Sequence, residues 1–535
     1  MASLADWLLN TIVVLAIIWR APVLQKVSLI FNATVTHQVK VDAVDTYQNK
    51  VLGALLGALL ADAVALQTHH EYDYRRIRDF YKVVLNGTVD KISEALRANA
   101  AILGMAITPD FHGAGVDMKN WHPGKNGGDL TDYGDCLVMA LEFLAQHNWS
   151  LTTFDSHWYQ WVQKYGGYVN LATKAILHRR SAGVNGPSLL GWPPAEDLFA
   201  ACRLPALLYA FHQRHDAATN MCEWSPKHSM PLEPFPLSLA LPFTGFKSEI
   251  EAEKQCEGLG TGLCGGIMCW TSGRLHGKKA CALAISNAKE LPEQAEEDTF
   301  SRRMQRCYFN YGDSNQTLLV KSLRQLALES SSIQYATEPT FLAVGFLADL
   351  AQALLHVNVP SRAEMQSLAR EIAGKLPPRY AEMMNGLLDA VDEKLTEVER
   401  YGSSWSSDPV EVDDIALRTF SNSSDHFVDS APYPCDMDDC NYWEYYGKAS
   451  ATVPALVATL YLLLRHLEAS PEHVFAVNAM IGGDTSARAI VLGMLVGALH
   501  GRDALPDSLL KQLNSLSHVQ ALADQIQWLH HGGKK

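Results

Sequence analysis

The 535-residue sequence predicts an almost wholly α-helical protein. Apolar residues recur at helical spacing through most of the chain, whereas the period-two alternation typical of strands is short and rare. Hydrophobic residues form 48% of the sequence, which is enough for a sizeable core. Two distant stripes of small residues at four-residue spacing indicate helices that pack tightly in one core, the alternative being two unrelated glycine-rich helices. The stripes are Gly53, Gly57 and Ala61, and Gly493, Gly497 and Gly501.

The helical periodicity divides the chain into segments. We expect helices in residues 46–82, 130–147, 155–178, 195–213, 316–328, 339–356, 361–373, 378–398, 451–468, 471–480 and 485–500. Residues 46–213 and 316–501 then form the two parts of one helical body, and residues 502–535 form a C-terminal helix and tail. The intervening residues 214–315 are rich in Cys, Pro and Gly, and we interpret them as an irregular inserted segment or lid.

Residues 1–45 contain an apolar run, residues 7–19, that is shorter than the roughly 20 residues of a membrane span. It also lacks the positive charges that begin a signal peptide, because Asp6 is the only charge before it. We interpret the run as a helix on the domain or on a membrane surface, so any membrane contact is expected there.

Composition narrows the choice of partners and compartment. The formal net charge of −14, with scattered Lys and Arg, disfavours nucleic acid as a partner. The ten Cys residues include no CxxC pair, and we expect buried free thiols rather than a disulfide framework. Five N-x-[ST] sequences point the other way. The cytoplasm is therefore the favoured compartment, with the secretory pathway as the alternative.

The first polar motif interrupts and ends the long apolar helix. Asp62 lies among apolar residues, where a carboxylate is costly unless it is paired or binds a cation. An Asp satisfied by the backbone or by an Arg is the alternative. His70 and Tyr72 follow where the helix ends, either as part of a binding site or as an ordinary polar helix end.

The second motif, residues 121–135, joins a glycine loop that includes Gly124 to acidic residues at a helix start. Capping of the helix explains only one of these polar side chains. Together, Thr131, Asp132 and Asp135 offer three oxygen donors within one turn, the ligands that Mg²⁺ prefers.

The third motif places two glycines before a helix N-terminus. Gly482 and Gly483 permit a tight turn, and Asp484 is the natural N-cap of the helix that follows. A helix N-terminus also attracts anions such as pyrophosphate, and Arg488 could face a phosphate or pair with a carboxylate. A plain turn and cap is the alternative.

Two further residues could line a pocket or simply pack: Gly167 and Tyr168.

Together these segments resemble the ADP-ribosylglycohydrolase superfamily, in particular its crystallin-J-like branch. The branch pattern ADALALGxHWxYD reads ADAVALQTHHEYD here, and HxGKxxGxxTHYGDQ reads HPGKNGGDLTDYGDC. GGDSAARGxxxGxxLGA reads GGDTSARAIVLGMLVGA, and AAR(I/L)xPLL reads AACRLPALL. The order and spacing agree from about residue 46 to residue 501.

The resemblance implies an all-α orthogonal helical bundle of the ADP-ribosylglycohydrolase type with a central cleft. In active members, TDDT and GGDTDT motifs hold two Mg²⁺ ions that orient an ADP-ribose and a water. Asp484 matches the first Asp of GGDTDT, but Ser486 and Ala487 stand where the next Asp and Thr are expected. The lost ligands imply that one metal site is absent or that both are weakened.

The resemblance also supplies expected roles. We expect one divalent ion, or at most two, Mg²⁺ with Mn²⁺ as the alternative. Its expected ligands are Thr131, Asp132, Asp135 and Asp484, with Asp62 as a further partner. The expected substrate-binding residues are His70, Tyr72, Gly124, Gly167, Tyr168, Gly482, Gly483 and Arg488.

These expectations lead to one functional prediction with two alternatives. We predict a metal-assisted hydrolase that cleaves a glycosidic bond to ADP-ribose or a related nucleotide sugar, in a small-molecule or ADP-ribosylated substrate. Asp132 or Asp135 would act as the general base. The alternatives are a non-catalytic ADP-ribose or nucleotide-binding protein, and a crystallin-like structural protein with a degenerate metal site.

Overall fold

A computed structural model describes most of the helical body and four strands of the insertion. The described residues are 46–84, 121–181, 183, 196–214, 220–224, 264–272, 278–285, 300–309, 322–335, 337–376, 378–420 and 447–530. The chain divides into two compact units, Met1–Asn49 and Lys50–Lys535, and the larger unit carries everything discussed below. The predicted helix at residues 7–19 lies outside the described residues.

The larger unit is built mainly of α-helices, which confirms the predicted all-α fold. In chain order the helices are α1 (46–65), α2 (Tyr74–Val84), α3 (Asp132–Gln146), α4 (Leu151–Lys164), α5 (Leu171–Ser181), α6 (Leu204–Arg214), α7 (Leu323–Ser332), α8 (Glu338–Leu354), α9 (Arg362–Gly374), α10 (Pro378–Trp405), α11 (Pro409–Arg418), α12 (Thr452–Arg465), α13 (Pro471–Ile481), α14 (Thr485–His500), α15 (Asp507–Leu510) and α16 (Leu516–His530). Short 3₁₀ turns occupy Leu66–Thr68, Leu198–Ala201 and Arg502–Ala504.

The centre of the bundle is α14, all of whose residues from Thr485 to Leu499 are buried. It packs against α12, α13 and α8, and α3 lies between α6 and α16. A helix that is apolar on every side must lie inside the protein, and this position accounts for the weak amphipathicity of the α14 sequence.

The two stripes of small residues pack against each other, which confirms the predicted close approach of α1 and α14. A Cβ atom added to Gly57 would lie 2.4 Å from the carbonyl oxygen of Gly493. One added to Gly497 would lie 2.0 Å from the carbonyl oxygen of Gly53. Since real Cβ atoms do not approach backbone this closely, glycine is required where the two helices cross.

The insertion contains an antiparallel four-stranded sheet in the order β1-β4-β2-β3. The strands are β1 (Asn220–Trp224), β2 (Cys264–Ser272), β3 (Lys278–Ile285) and β4 (Phe300–Phe309). The irregular composition did not predict these strands, because glycines such as Gly265 and Gly266 in β2 have low strand propensity. The register places Cys222 opposite Cys307 and Cys269 opposite Cys281.

One stretch of the described chain, Thr46–Thr68, is long and apolar enough to cross a membrane, but 89% of its apolar window is buried inside the protein. Such burial is typical of a core helix. Two thiols of the bundle, Cys136 and Cys202, are free and buried, as expected.

Candidate functional site

The site forms where the end of α1 meets the turn before α14. The backbone N–H of His70 donates to the Gly483 carbonyl at 2.8 Å, and the N–H of Gly483 donates to the Glu71 carbonyl at 2.6 Å. This two-residue bridge joins parts of the chain that are more than 400 residues apart, and it holds the side chains of both segments in fixed positions.

Both glycines of the turn adopt backbone angles that disfavour other residues. Gly482 has φ 78° and Gly483 has φ 81°. A Cβ atom at Gly482 would lie 2.3 Å from the carbonyl oxygen of Glu71, and one at Gly483 would lie 2.4 Å from that of Lys448. The predicted glycine turn therefore exists, and close backbone contacts explain its sequence.

His70 also lies in the left-handed region, with φ 65°. This conformation costs a non-glycine residue free energy, so the surrounding structure must impose it. The ring of His70 stacks on that of His69, with centroids 3.9 Å apart, and meets the edges of Trp121 and Tyr168. The strained backbone of His70 therefore lies where the ring of His70 stacks on the ring of His69.

Asp484 caps α14, as predicted, and it links two other elements. Its Oδ1 accepts hydrogen bonds from the Ala487 N–H at 3.2 Å and from His69 Nε2 at 2.9 Å. Its Oδ2 accepts from the Tyr133 hydroxyl at 3.2 Å. Burial alone would raise the pKa of Asp484, but His69, His70 and these hydrogen bonds outweigh burial and lower the pKa. Asp484 is therefore an ionised, positioned carboxylate.

Two buried histidine rings meet at the base of the site. Nδ1 of His69 and Nε2 of His122 are 2.6 Å apart, and the two rings are nearly parallel. Burial and the neighbouring histidines lower the pKa of His122 to about 2, so its ring is neutral at pH 7. The nitrogen atoms lie close to a carboxylate of Asp132, and donor atoms of all three side chains lie within 4.8 Å of one another.

Asp132 is the carboxylate whose environment is most unusual. It is 4% exposed, and its Oδ1 is buried without a hydrogen-bond partner among the described residues. Burial raises the pKa of Asp132 well above its ordinary value, and the charges of Asp484 and Asp62 add to this effect. An ionisable oxygen that is buried and unsatisfied indicates a functional position.

Asp62 and Thr131 bind each other at the start of α3. Oδ1 of Asp62 accepts from the Thr131 hydroxyl at 2.6 Å, and Oδ2 accepts from the Thr131 N–H at 2.8 Å. Burial raises the pKa of Asp62 to about 6, although these hydrogen bonds act in the opposite direction. The pair fixes α3 relative to α1, and thereby fixes the position of Asp132. The metal-binding role of Asp62 and Thr131 stays a prediction.

Asp135 lies one turn further along α3 and has two partners. Its Oδ2 accepts from Lys125 Nζ and from the Tyr165 hydroxyl, each at 2.6 Å. Burial raises the pKa of Asp135, with Lys125 and Tyr165 acting against it. The contacts connect the glycine loop with the end of α4. The predicted catalytic and metal-binding role of Asp135 stays a prediction.

A small cavity of about 10 Å³ adjoins Asp132. Several aromatic side chains line its wall, among them Tyr165, Tyr168 and Phe199. This volume admits about one water. Ligand pockets usually measure several hundred Å³, so a nucleotide requires these side chains to move apart.

The other predicted substrate-binding residues lie around this centre. Gly124 and Gly167 are exposed at the rim, and Tyr72 lines a neighbouring polar cavity of about 260 Å³ together with Arg75 and Arg418. Their contacts with substrate stay predictions.

Arg488 is fully buried beneath the glycine turn. It donates to the side chain of Asn478 at 2.9 Å and to the carbonyls of Gly482 at 2.5 Å and Lys448 at 3.3 Å. These contacts hold the turn from below, and they occupy each nitrogen of the guanidinium group. Arg488 therefore positions the turn in this structure, and its binding to a phosphate stays a prediction.

Three residues near the centre were absent from the predicted site. His69 and His122 lie beside predicted positions, but nothing in their spacing shows that their ring nitrogens converge. Asp197 was also missed; its Oδ1 accepts from the Phe199 N–H at 2.8 Å and lies 3.3 Å from the oxygen of the Tyr133 hydroxyl. Burial, reinforced by Asp484, raises the pKa of Asp197 to about 8. Its position before a 3₁₀ turn was the one available signal.

Perturbed carboxylates beside a cavity are typical of a functional site. The chain belongs to the ADP-ribosylglycohydrolase family, a hydrolase family whose sequence profile matches residues 43–226 and 308–534. One similar solved structure is described as an "ADP-ribosylglycohydrolase-related protein complex"; it is 14% identical, with a TM-score of 0.44, over 91% of this chain and 99% of that chain. No curated protein matches this chain.

Proposed function

We propose that this protein hydrolyses a glycosidic bond to ADP-ribose or a related nucleotide sugar, as a member of the crystallin-J-like branch of its family. The observation that carries the proposal is Asp132, a buried carboxylate with an unsatisfied oxygen, among the described residues, beside a cavity. Asp484 lies close by and is held by His69 and Tyr133.

Asp132 suits the role of general base that activates water. Its environment raises the pKa, and a carboxylate with a raised pKa takes up a proton more readily than an ordinary one. The adjoining cavity has room for about one water. Asp135 is the weaker candidate, because Lys125 and Tyr165 already occupy one of its oxygens.

The aromatic side chains suit the binding of a nucleotide. Tyr168 lines the cavity and contacts the ring edges of His70 and Trp121, so an opened cavity would present aromatic faces to a base or sugar. The backbone N–H groups of Gly483 and Asp484 donate to Glu71 and Lys448, so the glycine turn shapes the site.

The contacts that the expected ligands already make affect how well the site could bind the predicted Mg²⁺. Mg²⁺ needs near-octahedral oxygen ligands. Four of the five expected ligands, Asp62, Thr131, Asp135 and Asp484, already bind protein partners, which use part of their hydrogen-bonding capacity. Histidine nitrogens lie closest to Asp132. The residues therefore fit Mg²⁺ poorly.

Replacement of Asp132 tests the proposal. We expect Asp132→Asn to lower the release of ADP-ribose from Arg-, Ser- or acetyl-linked substrates by about 10²–10⁴-fold, the usual contribution of a general base. Asp392→Asn, which changes a carboxylate on α10 that binds Arg370 and Gln366, is the matched control and should keep full activity. Wild-type protein that releases no ADP-ribose from any of the three linkages would contradict the proposal.

A non-catalytic ADP-ribose-binding protein is the second candidate. Ser486 and Ala487 stand where ligands are expected, and Ser486 Oγ has no hydrogen-bond partner within the described part of the chain. Calorimetry that detects ADP-ribose binding without turnover, unchanged by a chelator, would favour this candidate over hydrolysis.

A further inference from the structure

The centre of the site presents nitrogen and oxygen donors together. One ring nitrogen of His69, one ring nitrogen of His122 and a carboxylate oxygen of Asp132 lie within 4.8 Å of one another. Nδ1 of His69 lies 2.6 Å from Nε2 of His122. All three residues are at least nine-tenths buried. Imidazole nitrogens are ligands for zinc and other first-row transition metals, whereas Mg²⁺ prefers an all-oxygen set.

We propose that His69, His122 and Asp132 bind one divalent transition-metal ion of the zinc class. The inference deepens the proposed function and rests on it, because it concerns the metal of the same site; with the ion bound, Asp132 would act as a ligand in place of the general base. Two histidines and one carboxylate are the protein ligands of a known class of catalytic zinc site, which keeps its fourth position for water or substrate. Such an ion would lower the pKa of a bound water and would so supply a nucleophile near neutral pH.

Asp484 forms a hydrogen bond with His69, one of the proposed metal ligands. Its Oδ1 lies 2.9 Å from Nε2 of His69, the ring nitrogen opposite the one that faces His122. A hydrogen bond from Nε2–H to Asp484 leaves the lone pair of Nδ1 directed at the proposed ion. Metal-binding histidines usually have such a partner, which sets the tautomer and the orientation of the ring.

The unsatisfied oxygen of Asp132 is the second, independent observation. Its Oδ1 is buried and has no hydrogen-bond partner among the residues that the structure describes, which is costly for a carboxylate. A metal ion would satisfy it.

Binding of the ion requires the two ring nitrogens to move apart. In a tetrahedral zinc site, ligand atoms about 2.0–2.1 Å from the ion lie roughly 3.3 Å apart. The two ring nitrogens are 2.6 Å apart here, so their separation must increase by less than 1 Å as the metal replaces the hydrogen bond between them.

Equilibrium dialysis of the metal-stripped, untagged full chain against Zn²⁺ with millimolar Mg²⁺ tests the inference. We expect about one more tightly bound Zn²⁺ per chain in wild type than in His69→Asn, His122→Asn or Asp132→Asn. Asp484→Asn should weaken binding by about 10–100-fold, as expected for a residue behind a ligand. Comparison with these variants also separates this ion from zinc bound by cysteines elsewhere.

His466→Gln is the matched control, because His466 Nε2 lies 2.9 Å from Asp413 in a similar His–Asp pair, formed by the residue that follows α12 and a residue of α11. It should bind Zn²⁺ as wild type does, and far-ultraviolet circular dichroism should show every variant folded. Equal Zn²⁺ binding by wild type and by both folded histidine variants would overturn the inference. So would displacement of Zn²⁺ by millimolar Mg²⁺. Hydrolysis without zinc binding would overturn this inference alone, and zinc binding without hydrolysis would overturn the proposed function alone.

Discussion

Gly482 shows how strongly the site depends on single residues. We expect Gly482→Ala to destabilise the protein by more than about 2 kcal/mol, because it combines left-handed strain of about 1–2 kcal/mol with overpacking of about 1–3 kcal/mol. The overpacking comes from a Cβ atom 2.3 Å from the Glu71 carbonyl. Chemical denaturation measures the change.

Gly124→Ala separates the two effects in the same experiment. Gly124 has φ 81°, but a Cβ atom there would meet nothing within 4 Å. It should therefore cost only the strain, about 1–2 kcal/mol. Equal losses for the two variants would mean that the close contact at Gly482 is absent.

Glu338 gives a pH prediction away from the site. Burial raises its pKa to about 7, with Arg379 acting against this. Between pH 4.5 and about 7 the folded state binds more protons at Glu338 than the unfolded state, so this residue makes stability fall as pH rises. Glu338→Gln should leave Tm unchanged at pH 4.5 and raise it by about 1–2 °C at pH 8. Differential scanning calorimetry at both pH values measures this, and a lower Tm at pH 8 would contradict it.

At the level of elements, the stability of the bundle depends on the close packing of α1 against α14. We expect Gly497→Ala to destabilise by about 2–3 kcal/mol, because its Cβ atom would lie 2.0 Å from the Gly53 carbonyl and force the helices apart. Thermal and urea unfolding measure the loss.

The control lies in the exposed part of α10. Gly386 is a helical glycine with open space around its position, so Gly386→Ala should stabilise by about 0.5–1 kcal/mol. Opposite signs for the two Gly→Ala changes are expected, and a neutral Gly497→Ala would show that the helices do not touch there.

At the level of the whole molecule, ligand binding should appear as thermal stabilisation. A ligand at 100 times its Kd that binds only the folded state adds about 2.7 kcal/mol. We expect ADP-ribose to raise the Tm of wild type, and to raise that of Asp484→Ala much less, because this variant loses the contacts to His69 and Tyr133. The same shift in both proteins would place the binding elsewhere.

We also expect the cavity to open when ADP-ribose binds, because its volume is small. Since about 10 Å³ admits no nucleotide, the aromatic side chains around Asp132 must move before ADP-ribose enters. Hydrogen exchange with and without ADP-ribose should show changed protection at the end of α4 and in residues 165–170. Unchanged exchange there, with binding established, would contradict the need for opening.

Much of the fold could be predicted because helical periodicity is a local property. The all-α fold followed from it, and the tight packing of two helices followed from small residues at four-residue spacing. The strands of the insertion could not be predicted, because their alternation is weak. Sequence blocks likewise placed Asp132 and Asp484 in one candidate site, and the structure brings both close to His69.

The sequence by itself determined the helical character, the glycine stripes and the family resemblance, since each depends on residues near one another in the chain. Only the tertiary structure decided which polar groups satisfy one another: Asp62 with Thr131, Asp135 with Lys125, and His69 with both His122 and Asp484. The physical reason is that hydrogen bonds depend on distances of a few ångströms between residues that lie up to 415 positions apart. Spacing along the chain does not contain those distances.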